Sequence, residues 1–144
     1  MEIKVINKSR HNLPTYETAG SAGFDLRADI EESVTIHPME RVIIPTGMFF
    51  EIPVGYEMRV QTRSGMAAKY AVIVCNTPGC VDSDYRGEVK IILINLGNSD
   101  FVVEPGDRIA QGIISAVARA EFVEVDSLSK TERGEGGFGH TGVK

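Results

Sequence analysis

Two carboxylates, a phenol and a guanidinium crowd into nine residues, Gly79-Cys80-Val81-Asp82-Ser83-Asp84-Tyr85-Arg86-Gly87, between two strongly apolar runs. A turn this polar is costly unless its groups meet partners. Strand alternation sets Asp82 and Asp84 on one face with Tyr85 opposite, whereas a turn brings Tyr85 back beside Asp82. Asp82, preceded by apolar Cys80 and Val81, suits a partly buried general base, with a structural turn carboxylate as the plainer alternative. Asp84 reads as a turn or ion-pair residue.

Arg63-Ser64-Gly65 is a second polar knot, combining an arginine fork, a hydroxyl and a glycine that lets backbone approach a ligand. Ser64 to Tyr70 is the one helical candidate, with Ser64 as its cap and its first N–H groups available to an anion. Phosphate binding and an ordinary helix cap fit these residues equally. Arg108 and Gln111 interrupt an apolar strand three residues apart, and either a structural hydrogen bond or a ligand must satisfy them. In AGFDLRA, residues 22–28, alternation puts Asp25 and Arg27 on one face. A surface ion pair accounts for them, as does a water-mediated metal contact for Asp25.

The stretch RGEGGFGHTGVK, residues 133–144, has no apolar periodicity, yet it sets Phe138 among five glycines. It reads either as a frayed terminus or as a flap that closes over a ligand, with Arg133 offering donors to phosphate. Gly134, four residues, then Gly139-His140-Thr141 mimics a P-loop with histidine in place of lysine. A P-loop, however, joins a strand to a helix, and no helix pattern follows here. His11 and His37 sit in polar, turn-like surroundings and read as exposed and idle. Cys75 and Cys80 make a poor zinc site and read as two buried, reduced thiols.

The elements that must position these groups are short. With 144 residues, 42% hydrophobic and 24% charged, the chain fits a single domain, with a β core over 1–130 and a mobile tail over 131–144. Strand-like runs span 2–7, 23–29, 33–37, 41–45, 48–52, 56–63, 71–76, 88–96, 100–104, 108–117 and 121–125, separated by Gly/Pro/Asn turns at the spacing of a sandwich or barrel. Val89 to Leu96 is apolar at nearly every position, which predicts cover on both faces, at the centre of the fold or of an oligomer. A net charge of -5 disfavours stable nucleic-acid binding. No leader pattern or apolar run of bilayer length stands out, so a soluble, cytoplasmic protein without membrane contact is expected.

Taken in order, AGFDLRA (22–28), RSGMA (63–67), GCVDSDYRG (79–87), RIAQG (108–112) and RGEGGFGHTG (133–142) closely resemble the five motifs of the homotrimeric deoxyuridine triphosphatases, the dUTPases. PTYETAGSAG and IPTG between them also look like the family. The resemblance implies an all-β, distorted jelly-roll with one short helix, assembled as a trimer with three sites shared between subunits. It implies hydrolysis of dUTP to dUMP and pyrophosphate, supplying dUMP for thymidylate synthesis and keeping uracil out of DNA. Asp82 would activate the water, and Mg²⁺ would ride on the phosphates with Asp25 reaching it through water only.

By the same resemblance, Arg63, Ser64, Gly65 and Gln111 would hold phosphates, joined by Arg133, Gly139, His140 and Thr141 of the tail. Phe138 would stack on uracil. Asn76 and the backbone of Gly79, Cys80 and Val81 would read the uracil edge, Tyr85 would pack under the deoxyribose, and Lys90 would lie beside the nucleotide. Three positions depart from the common pattern. Gly112 replaces a bulkier apolar residue, which points to altered packing; Ala71 replaces a frequent glycine, which points to a relaxed backbone angle; His140 replaces a serine, which predicts mildly pH-dependent binding. A dCTP deaminase is the nearest rival, but no acidic residue is evident beside Asn76. A noncatalytic trimer is the other, although Asp82, Tyr85 and the tail are all present.

Overall fold

In the computed structural model, which describes residues 1–137, ten strands and one helix follow in the order β1 (Lys4–Asn7), β2 (Phe24–Arg27), β3 (Val34–Ile36), β4 (Arg41–Glu51), β5 (Tyr56–Gln61), α1 (Ser64–Tyr70), β6 (Val72–Val74), β7 (Gly79–Val81), β8 (Glu88–Asn95), β9 (Phe101–Val103) and β10 (Arg108–Ala116). The strands form two four-stranded sheets, β1-β4-β8-β6 and β2-β10-β5-β7, with a small β3-β9 pair. Every pairing is antiparallel. The expected all-β, jelly-roll-like architecture with a single short helix is borne out. No helix among the described residues is long and apolar enough to cross a membrane.

The core comes from alternate residues of both sheets. Leu26 of β2, Ile44 of β4, Met58 of β5, Ile91 and Leu93 of β8 and Ile109 of β10 are all fully buried. Burial of each such side chain stabilises the fold by about 1.5–3 kcal/mol. Asn95, also buried, donates to the carbonyls of Ile36 and Ser99 at 2.8 Å and accepts from Gly97 N–H at 2.8 Å, so its polar atoms are satisfied while it pins the turn after β8.

Four expectations change. The runs 41–45 and 48–52 are one strand, β4, whose register against β8 slips between Pro45 and Phe49. Gly47 takes φ 65° there, and a Cβ on it would stand 2.7 Å from Ser9 Cβ. The buried Thr46 hydroxyl donates to Val89 O at 2.6 Å and fixes the bulge. The run 121–125 is not a strand: it pairs with no other strand of this chain among the described residues, and Phe122 is 95% exposed and Val123 74%. Gly79–Val81, expected as turn, is an edge strand against β5. β8 buries Val89, Ile91, Leu93 and Asn95 on one face, while Ile92 and Ile94 on the other are only half-covered.

Candidate active site

The chain turns sharply where β7 ends: Tyr85 N–H donates to Asp82 O at 3.2 Å. Tyr85 is thereby folded back beside Asp82, and its hydroxyl donates to Glu88 O at 3.0 Å. On the other side, β6 gives way to Cys75 and Asn76, a cis Thr77–Pro78 peptide, and then β7. Asn76, Gly79, Cys80, Val81, Asp82, Tyr85 and Lys90 therefore line one open cavity of about 340 Å³. A space of this size falls within the range of small-molecule sites.

Asp82 is exposed rather than partly buried, because the chain leaves the core after Val81. Both cysteines are exposed as well, contrary to the expectation of buried thiols. Cys80 points outward from the edge strand and donates its S–H to Glu57 Oε2 at 2.8 Å, with Asp82 Oδ1 3.5 Å away. The bond to Glu57, aided by partial burial, pushes the thiol up to about 12, and the same bond draws the Glu57 carboxyl below its ordinary value, helped by Arg59. Glu88 also lines the cavity. Its carboxylate is already engaged by Gly47 N–H at 2.9 Å and lies 3.6 Å from Lys90 Nζ.

A second cluster forms where β2, β10 and the end of β5 meet. Asp25 pairs in register with Gln111, and Gln111 with Gln61. Asp25, its side chain only 10% exposed, receives Arg63 Nε on Oδ1 at 2.8 Å and Arg108 on Oδ2 at 3.1 Å. Arg63 also donates to Arg108 O at 3.1 Å. The expected Asp25–Arg27 pair is absent, for Arg27 reaches Gly106 O at 2.8 Å instead. Ser64 is the first residue of α1, not its cap; Arg63 holds that position, with no side-chain cap bond. Ser64 and Gly65 lie exposed, and a Cβ on Gly65 would meet nothing within 4 Å.

The family model for dUTPase matches residues 9–142. Among curated relatives, the deoxyuridine 5'-triphosphate nucleotidohydrolase of Fusobacterium nucleatum is 52% identical over 142 residues, 99% of this chain and 97% of that one. That of Treponema denticola is 54% identical over 143 residues, 99% of each. This chain belongs to the dUTPase family. Among solved structures, a dUTPase of Staphylococcus bacteriophage 80alpha with dUPNHPP superposes with a TM-score of 0.90 at 27% identity, covering 99% of both chains.

Within this dUTPase chain, the two clusters do not share a cavity: Arg63, Ser64, Gly65 and Gln111 are absent from the residues lining the one beside Asn76. Arg133 hydrogen-bonds Gly136 O at 2.7 Å inside its own segment. Phe138, Gly139, His140 and Thr141 lie outside the described residues, as does the pH dependence expected of His140. Ala71 is not relaxed, since it takes φ 54° and ψ 26° at the helix C-cap. His11 is partly buried, its Nε2 3.1 Å from Ala28 O, and His37 is paired with Asp100 at 2.9 Å, so neither is idle. Sequence reading singled out Arg108 without its partner Asp25, and it missed Glu57. Arg108 carried a signal, a charge inside an apolar strand, whereas nothing in the sequence tied Glu57 to Cys80.

Proposed function

We propose that this dUTPase hydrolyses dUTP to dUMP and pyrophosphate, with Asp82 as the base for the attacking water. The cavity that joins Asn76, Asp82 and Tyr85 carries the reading. Asp82 would accept a proton as the water oxygen bonds to the α-phosphorus; the bond from that phosphorus to the bridging oxygen breaks, and pyrophosphate leaves. Asn76 and the backbone of Gly79, Cys80 and Val81 would pair with the uracil edge, whose donors and acceptors oppose those of cytosine. A thymine would be excluded because its methyl group would find no room. Tyr85 would occupy the place of a ribose 2′-hydroxyl, and Lys90 would stand beside the nucleotide.

Developing charge on the triphosphate calls for fixed donors. Arg63, oriented by Asp25, would supply them with Ser64, Gly65 and Gln111. The open space above Gly65 and the free end of α1 suit close approach of an anionic oxygen. Arg133, Gly139, His140 and Thr141 would add phosphate contacts from the tail, and Phe138 would cover the uracil. Mg²⁺ fits as a group carried by the substrate: Asp25 presents hard oxygen donors with lone pairs beyond their arginine bonds, suited to contact through water. Among the described residues, no group of three or more His, Cys, Asp or Glu is arranged to hold a metal directly. Bound there, Mg²⁺ would offset phosphate charge.

Because phosphate grips and base cavity are separate within one chain, a homotrimer with sites shared between neighbours completes the reading. Such an enzyme would work in the cytoplasm, supplying dUMP for thymidylate synthesis and keeping uracil out of DNA. The test is pyrophosphate release with Mg²⁺ from dUTP, UTP, dTTP and dCTP in parallel. Release from dUTP alone, lost in Asp82→Asn, is expected. Equal release from all four, or full activity in Asp82→Asn, would overturn the reading.

A further inference from the structure

Gly87 is half-buried, and its backbone lies outside the left-handed region, so no backbone conformation requires glycine there. What requires it is Tyr85. A Cβ on Gly87 would stand 2.3 Å from the Tyr85 hydroxyl oxygen, 2.4 Å from Cζ and 2.8 Å from Cε2. All three atoms belong to the outer end of one ring, which therefore lies directly over the Gly87 Cα. The ring is held there by its hydroxyl bond to Glu88 O at 3.0 Å and, at its root, by Tyr85 N–H on Asp82 O at 3.2 Å.

We infer that Gly87 is a positioning residue for sugar selectivity: its missing side chain gives the Tyr85 ring the one place from which it excludes a ribose 2′-hydroxyl. The inference rests on the proposed dUTP site and names the residue that sets Tyr85 within it. A methyl at position 87 is accommodated by rotation of the Tyr85 side chain, because the backbone tolerates alanine and the obstructing atoms are the outer end of an exposed side chain. Rotation breaks the hydroxyl bond to Glu88 O and opens the cavity floor. The fold survives, and discrimination is lost.

The experiment compares kcat/KM for dUTP and UTP, with thermal unfolding, in the wild type, Gly87→Ala, Tyr85→Ala, the double variant, and Gly20→Ala. Gly20 is the control, since a Cβ there would meet nothing within 4 Å. Gly87→Ala should unfold at nearly the wild-type temperature yet lose at least about tenfold of its preference for dUTP. Adding Gly87→Ala to Tyr85→Ala should cost no further preference, as two changes acting through one ring are not additive. Undiminished preference in Gly87→Ala, an additional loss in the double variant, or an unfolded Gly87→Ala protein would each overturn the inference. A wild type that does not prefer dUTP to UTP would instead sink the proposed site, and this inference with it.

Discussion

Gly112 lies in the middle of β10 beneath Phe24 and Met58, and a Cβ on it would stand 2.6 Å from Phe24 Cε2, 2.7 Å from Cζ and 3.0 Å from Met58 Sδ. Unlike the Tyr85 ring over Gly87, these atoms are packed in the core and have nowhere to move. Gly112→Ala should therefore destabilise the chain by about 1–3 kcal/mol, visible as a lower unfolding temperature. An unchanged temperature would show that Phe24 can repack. Cys80 offers a chemical test at the same scale. Held as a thiol by Glu57, it should resist iodoacetamide at pH 8, since the thiolate is the nucleophile. Glu57→Gln removes the charged acceptor, and each pKa unit recovered raises the thiolate population about tenfold. Peptide mapping by mass spectrometry should find faster alkylation of Cys80 in that variant; an unaltered rate would mean the Cys80–Glu57 bond does not hold in solution.

Helix α1 ends on a residue poorly suited to its conformation. Ala71 takes the left-handed geometry that lets its N–H reach Ala67 O at 3.1 Å, at a cost of about 1 kcal/mol for a residue with a Cβ. Ala71→Gly should raise stability by up to about 1 kcal/mol, partly offset by the greater freedom of glycine in the unfolded chain, and chemical denaturation measures the difference. The family pattern of glycine at this place made the position stand out, but only the helix cap reveals that the strain is kept rather than relieved. Elements were legible where their pattern was long. β8 is written in its nearly unbroken apolar run from Val89 to Leu96, whereas the three residues of β7 are too few to show a period, and the apolar rhythm of 121–125 pairs with no strand of this chain among the described residues. The family was legible as ordered motifs along the chain. The partners of Arg108, Glu57 and Gly87 were not, since these contacts arise only in the folded chain: Arg108 on Asp25, Glu57 on Cys80, and the Tyr85 ring over Gly87.

A single chain leaves large apolar side chains uncovered, in keeping with the proposed trimer. Phe122 is 95% exposed and Leu128 86%, and the outer face of the β4–β8 sheet presents Ile43 beside Ile92 and Ile94. Surfaces of this kind mark contacts with another molecule, and a second copy of the chain answers the separate phosphate and base clusters as well. Light scattering should accordingly find about three times the 15.7 kDa chain mass. Sharing of sites calls for a sharper experiment. Asp82→Asn would remove the proposed base and keep the proposed phosphate grip, and Arg63→Ala would do the reverse, so each variant alone should be inactive. When the two are unfolded together in equal amounts and refolded, a site that takes Asp82 from one chain and Arg63 from its neighbour draws each intact group half the time. Random assembly therefore rebuilds about one site in four with both groups whole. Recovery of roughly that fraction of wild-type pyrophosphate release would place Asp82 and Arg63 of one site on different chains. If the mixture stays as inactive as its parents, while light scattering still reports trimers, both groups must come from one chain, and the tail or a loop must close the gap between them.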